Sequence, residues 1–420
     1  MLTRKLLVIA LFFCFSSNIF ASAFQLWEES ADGTGDYHAG AAAEGRDVSD
    51  IYYNPALMSR FDKPEISAGM VNISLEANYT GTVQTFLTER TVSDVSGGTD
   101  NMVPNFHFSW PLSPAWSVGL EETTPFGLST QYPDDGIAGG VDSLATETQL
   151  ETYNLNPSIA YKMNQYFSIG LGFDAMYGSA IYNDTYLLFP IDNDLSGWGY
   201  GYNAGALVQF SPHTRIGLSY RSEIVLPATG PSSFYNAING VTTHSIASTN
   251  FPLPATTMLS AYRDINDRFA LMSSVFYTQW SIFKELIIHN IAQAGNPATV
   301  ATNENYQNTW NFSIGALYKM TRSISIETGA GYDETPTQYY YRDIRLPDSN
   351  RYAASIGINV QPSPGFGWSM GYTHFFIDNI PINNSLSNNS QTTTSLPPAI
   401  GIGNVAADVN VFGIQFTWVI

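Results

Sequence analysis

The side chains best suited to chemistry in this chain are six histidines and a set of charges on alternating segments. His38, His107, His213, His244, His289 and His374 are scattered along the chain. None shows the spacing that lets neighbouring ligands share a metal ion. No phosphate-binding loop occurs. A Ser–His pair brought together only by the fold is the one catalytic arrangement that spacing leaves open. The chain is therefore not expected to be an enzyme, and no catalytic residue, cofactor or metal ligand is expected. The charges read differently. Asp174, Arg215, Arg221, Glu223, Lys319, Glu327, Asp333 and Arg351 share the non-greasy parity of their segments. Charges withdrawn from water need partners. Arg221 is expected to pair with Glu223 or with Asp47 and Asp50, and Arg221 or Arg351 is a candidate to hold a ligand carboxylate.

The elements that position these groups are strands. The chain ends VFGIQFTWVI, where Phe412, Ile414, Phe416, Trp418 and Ile420 alternate with Val411, Gly413, Gln415, Thr417 and Val419. A period of two means a strand. One greasy, aromatic-ended face backed by small and polar residues suits lipid on one side and water on the other. The pattern recurs in Phe167–Tyr177, Tyr200–Phe210, Ile216–Tyr220, Trp310–Tyr318 and Trp368–Tyr372. Short turns at 111–114, 163–165, 211–213, 264–267, 320–323 and 362–364 alternate with long polar stretches near 81–103, 123–147, 185–195, 227–252, 285–304, 334–349 and 378–404. Short turns face the periplasm and long loops face outside in such barrels. Six turns and seven loops predict an all-β, transmembrane antiparallel β-barrel of about 14 strands. A soluble β-sandwich would show shorter and more uniform connections.

Composition agrees. The chain has 420 residues, 34 of them Gly and 25 Tyr, with aromatics at 14% and charged residues at only 13%. Mean hydropathy is −0.07. The only long apolar run is at the N-terminus, so helical spans are not expected. There, Arg4 and Lys5 precede the apolar Leu6–Phe15 and an Ala21-Ser22-Ala23 cleavage pattern. Residues 1–23 thus read as a signal peptide that would release Phe24, with cleavage after Ala21 as an alternative. The sole cysteine, Cys14, lies within it. A net charge of −19 argues against nucleic acid. It suits acidic outer loops that hold divalent cations at an anionic membrane surface, or simple solubility.

Residues 24–63 differ from the rest. They are rich in Ala, Gly and Asp, show no long alternation, and contain the turn signal Asn54-Pro55. The barrel reads from 64 to 420. Fourteen strands enclose more space than side chains alone fill, and 24–63 is the expected plug.

FQLWEES at 24–30 and YYNPALMSRFDKPEISAG at 52–69 resemble the start of the FadL family of outer-membrane long-chain fatty-acid and hydrocarbon channels. The resemblance continues through PNFHFSWPLSPAWSVGLEETTPFGLSTQYPDD (104–135), YNAGALVQFSPHTRIGLSYRSE (202–223) and GYDETPTQYYYRDIRLPDSNRYAASIG (331–357), and covers essentially the whole mature chain. It implies a fourteen-stranded barrel with an N-terminal hatch in the outer membrane of a Gram-negative bacterium. It also implies passive uptake of long-chain fatty acids or similar hydrophobic molecules, with lateral release into the bilayer. Outer-membrane lipid and lipopolysaccharide are the surroundings, and a monomer is the default.

The resemblance places the mature N-terminus, Phe24, in the ligand pocket, and Asn54 and Pro55 in the hatch turn. Pro104 and Pro111 are candidates for the strand break that lateral release needs, because Pro cannot donate to a ladder. Phe126, Leu128 and Tyr132 in one loop, and Leu187, Leu188 and Phe189 in the next, are candidates for a greasy landing groove. One departure bears on the substrate. Fatty-acid members carry basic residues in the stretches that here read DAMYGSAIYNDTY and NPATVATNENY, and neither stretch has one. Neutral or aromatic hydrocarbons are the alternative cargo. A surface adhesin without transport and a water-filled porin are the alternatives in function.

Overall fold

The computed structural model describes residues 23–395 and 397–420; the signal-peptide reading of 1–22 lies outside the described residues. Fourteen antiparallel strands form one closed wall. In chain order they are β1 (Glu65–Gln84), β2 (Thr99–Pro111), β3 (Trp116–Thr123), β4 (Glu147–Lys162) and β5 (Phe167–Tyr186). Next come β6 (Phe189–Ser211), β7 (Thr214–Arg221), β8 (Thr256–Asp264), β9 (Phe269–Thr278) and β10 (Thr309–Lys319). The last are β11 (Ile324–Asp333), β12 (Arg351–Ser363), β13 (Phe366–Ile377) and β14 (Ile400–Val419). Each pairs with its chain neighbour, and β14 pairs with β1 from Glu65↔Val419 to Gln84↔Ile400, which closes the ring. Closure gives every strand of the wall a partner on both sides, as a lipid-embedded sheet requires. No described helix is long and apolar enough to cross a membrane.

The alternation reads out as expected. Phe412, Phe416 and Trp418 are exposed on the outside, whereas Val411 and Gln415 are buried within. Leu171, Phe173, Tyr200 and Tyr202 likewise point out. Several long stretches are not loops. β5 and β6 run on to a Tyr186↔Phe189 pair, so 185–195 is a hairpin with Leu187 and Leu188 at its turn. Residues 227–252 lie within a second hairpin, Ile224–Asn236 against Val241–Leu253. In these segments the strand pairing of the wall runs on beyond it. Glu223 and Lys319, expected to face the lumen, are both exposed. Glu223 follows the last residue of β7 and Lys319 ends β10, so neither is held to the inward parity.

Residues 24–61 lie inside the ring and are almost wholly buried. They form helix α1 (Ala31–Asp36) and two 3-10 turns, Val48–Tyr52 and Pro55–Arg60. Helix α1 is capped by the Ser30 hydroxyl, which accepts from Gly33 N, and it packs on β11–β14. The second 3-10 turn packs on β3–β6. Glycine in the wall permits this approach. A Cβ on Gly217 would sit 1.7 Å from Ala42 O, and one on Gly205 would sit 1.9 Å from Asn54 Oδ1. The inward glycines are therefore contact surface for the N-terminal segment. Asn54 caps the second 3-10 turn through Ala56 N and donates to Ala42 O (2.7 Å) and to Ala206 O of β6 (3.1 Å). Pro55 fills the first helical position.

Candidate functional site

The wall is interrupted on one side. β2 pairs with β1 along its length, but with β3 only from Phe106↔Glu122 to Pro111↔Ser117. β3 ends at Thr123, and the chain bends inward at Thr124-Pro125 before resuming against β4 at Gly127↔Glu151. Three residues, 124–126, face two on β4, the signature of a bulge. The displaced segment pairs instead with the N-terminus: Leu26 N donates to Pro125 O and Gly127 N to Phe24 O, both 2.9 Å. A window opens between Asp100–Pro104 and the pair Gly127–Ser129 and Tyr153. Thr99 Oγ1 closes its upper end on Ser129 O (2.9 Å). Pro104 lies on the rim of this window. Pro111 does not: it is paired to Ser117 beside the short turn, at an ordinary strand end. The break belongs to Pro125, whose strand has the N-terminal segment as its alternative partner.

Behind the window stands an aromatic chamber built on Phe24. Its ring lies edge-on to Trp280 (centroids 4.6 Å) and within 6.2 Å of Phe251, Phe283 and Phe126. Such tilted and edge-to-face contacts suit the ring quadrupoles. Three cavities share lining residues here. An outer groove of about 530 Å³ is lined by Phe86, Leu144, Leu187, Phe189 and Phe234 among others. A cavity of about 80 Å³ lies against Phe24, Phe251, Phe283 and Tyr306. Tyr182, Asp343 and Arg345 line both. Leu128, Leu150 and Leu346 link the second cavity to the window cavity of about 350 Å³. Three residues expected in the groove stand apart from these cavities. Phe126 is buried against Phe24. Tyr132 is buried in the loops, its hydroxyl donating to Ile344 O (3.0 Å), and Leu188 is exposed at the hairpin tip. A sequence pattern cannot tell a loop side chain that packs inward from one that lines a groove.

The two arginines singled out for a carboxylate are already engaged. Arg221 binds Asp174 and donates to Tyr52 O of the N-terminal segment. Arg351 pairs with Asp333 at 2.9 Å, though it still lines the window cavity. The Arg221–Glu223 pair does not form, because Glu223 points away. Asp47 meets Gln415 and Thr417, and Asp50 caps its own segment. Arg345 carried no signal beyond its charge, yet it stands between the outer groove and the chamber. It lies over the Tyr182 ring at 3.7 Å and donates to Thr148, Asn183 O and Asp184. Opposite it are Asp343 and Glu304. Burial and the charge of Asp343 hold Glu304 well above the usual carboxylate range. Asp348, beside the window, accepts from Ala23 N at 2.8 Å, and burial pushes it up to about 6.

Beneath the chamber the N-terminal segment is tied to the wall by charge. Arg46 binds Asp32 (2.9 Å), Glu44 (2.8 Å) and Glu327 of β11 (2.8 Å). Oxygens of Asp32, Glu44 and Asp50 lie within 4.8 Å of one another, and Arg46 answers them. Burial raises Asp32, Asp36 and Asp50 well above the ordinary carboxylate range. Arg215 donates to Ala43 O (2.9 Å) and Glu44 O (2.7 Å). His38, bonded to Tyr53, is held neutral, burial lowering it to about 3. One serine has the spacing of a nucleophile motif, Gly367-Trp368-Ser369-Met370-Gly371. It lies mid-strand, Ser369 opposite Asn359 and Gln415, whereas a nucleophile elbow needs a strand-to-helix turn.

A closed, lipid-faced barrel with an internal N-terminal segment and an apolar passage to a window in its wall defines a membrane transporter of hydrophobic molecules. Residues 12–419 match the family model described as outer membrane protein transport protein (OMPP1/FadL/TodX), and the chain belongs to that family. It is 29% identical over 420 residues to the long-chain fatty acid transport protein of Escherichia coli K12, covering 88% of this chain and 91% of that protein. The structure is similar to a Pseudomonas aeruginosa FadL homologue (TM-score 0.83, 23% identity, 94% of this chain and 99% of that one). It is also similar to the Ralstonia pickettii toluene transporter TbuX (TM-score 0.71, 16% identity, 94% and 100%). The protein is an outer-membrane transporter of hydrophobic compounds, and not an enzyme.

Proposed function

We propose that the protein admits long-chain fatty acids or similar hydrophobic molecules passively and releases them sideways into the bilayer. The observation that carries this reading is the shared lining of three cavities, from the outer groove past Phe24 to the window beside Pro104. A greasy molecule captured in the groove loses contact with water at each step, which drives it inward without an energy source. Sideways exit spares it the polar, ion-paired segment below. Residues 24–63 act as the hatch, which separates this reading from a water-filled porin.

A second reading has its own support. Arg345 is committed to Asp184, and Arg221 and Arg351 to Asp174 and Asp333, so no arginine among these is left for a ligand carboxylate. That pairing favours hydrophobes with an uncharged end. The relative named for fatty acids and the similar structure named for toluene support the two cargoes respectively. Uptake of labelled oleate against toluene, in a strain lacking its own channels, separates them. Leu128→Trp, at the junction of chamber and window, should reduce uptake of whichever is carried by about tenfold, as one misplaced bulky group at a passage does. Unchanged uptake by that variant would exclude the lateral route.

A further inference from the structure

Asp142 is the least explained charge in the outer loops. It sits in the turn Val141–Ser143, is fully buried, and neither carboxylate oxygen has a hydrogen-bond partner. A buried ionised carboxylate without a partner is strongly unfavourable. Its neighbours make matters worse. Asp142 Oδ1 and Asp135 Oδ1 lie 2.8 and 3.0 Å from the point where a Cβ on Gly140 would sit, and Ile137 O lies 3.2 Å from it. Asp134, held by Thr185 Oγ1 at 3.0 Å, is close enough to raise Asp142 further. None of the ion pairs among the described residues involves Asp134, Asp135 or Asp142. The hatch carboxylates, by contrast, have Arg46.

We propose that the 134–142 loop binds one divalent cation, Ca²⁺ in preference to Mg²⁺, through the carboxylates of Asp142 and Asp135 and the Ile137 carbonyl, with water completing the oxygen set. Flexible sets of carboxylate and carbonyl oxygens suit Ca²⁺, whereas Mg²⁺ demands a near-ideal octahedron and gives up water reluctantly. Gly140 keeps the space between the oxygens clear of a side chain. The site is joined to the outer groove: Ser143, next in the chain, donates to Thr185 O and accepts from Leu187 N, and Ser143 and Leu144 line the groove. An ion here braces that rim.

The test is calorimetric titration of the chelator-treated full barrel in detergent with CaCl₂ alone, so it does not depend on the transport reading. One Ca²⁺ per chain is expected with a Kd of about 10⁻⁴–10⁻³ M, the range of extracellular modules. Asp142→Asn should weaken binding at least about tenfold, the loss of one charged ligand. Gly140→Ala, which places a methyl among the oxygens at an ordinary backbone angle (φ −74°), should do the same without changing charge. Asp94→Asn, on another outer strand, should bind as the parent does. No uptake of Ca²⁺ by the parent chain would mean that a proton neutralises Asp142. Equal uptake by the Asp142→Asn and Gly140→Ala variants would place any ion elsewhere. Either result overturns the proposal.

Discussion

The two halves of the lumen are built from different forces. The lower half joins the N-terminal segment to the wall with Arg46, Arg215, Asn54 and backbone pressed against glycine. The upper half joins it with rings: Phe24 against Phe251, Trp280 and Phe283. Buried ion pairs add little net stability against an apolar alternative, but losing one partner leaves a buried charge exposed to its neighbours. They fix position at modest net gain. The burial of apolar rings is itself non-directional and tolerates a guest of the same chemistry. A lower half that holds one register beneath an upper half that accepts a hydrophobe is what the contrast teaches.

The largest effect is expected from removing the lower half. Deleting 24–63 should raise single-channel conductance at least about tenfold, since a fourteen-stranded ring alone encloses an open lumen. A conductance near that of the parent chain would mean that other parts fill the lumen. Next, Arg46→Ala should destabilise the protein by about 3–5 kcal/mol, because Asp32, Glu44 and Glu327 lose their shared cation. Thermal melting checks this, and a change below about 1 kcal/mol would make the pairs ornamental. In the upper half, Trp280→Ala should cost a similar 3–5 kcal/mol, roughly, by opening a cavity. It differs in kind, since the variant should also bind larger hydrophobes, read by ligand titration.

A smaller effect concerns pH. Asp32, Asp36 and Asp50 have folded values raised by burial. Their contribution is present below the unfolded value of about 4 and is lost as pH rises through the raised values. Melting temperature should therefore fall as pH rises above the unfolded value of about 4 and on through the raised values. His38 works on the opposite limb: its contribution is present above about 6.5 and is lost as pH falls through about 3. A profile that stays flat as pH rises from the unfolded carboxylate range would show that the lower half does not hold these protons. The smallest effect sharpens the upper half. Arg221→Ala should reduce oleate and toluene uptake alike, because Arg221 serves Asp174 and Tyr52.

Much of the wall was legible before any coordinate, and much of the site was not. Strand parity follows from a period of two and the six short turns from turn residues, and both signals are local. Phe24 and Asn54-Pro55 were found through a resemblance whose residues are contiguous. Pro104 was placed near the break, but Pro125 makes it. That choice depends on the 24–26 segment offering Pro125 O and Gly127 N their hydrogen bonds from a hundred residues away. Arg345 and Asp142 were equally silent, since a charge in a loop has no period to read.

The amino-acid sequence by itself determined the ring: which faces meet lipid, how many strands close it, and that an unlike segment precedes them. Those properties rest on alternation and on turn chemistry, which neighbouring residues decide. Only the tertiary structure decided where the wall opens, which arginines are already paired, and which aspartate is left without a partner. Those depend on contacts between segments far apart in the chain, where burial converts a charge from solvated to costly and a strand finds its hydrogen bonds outside the wall.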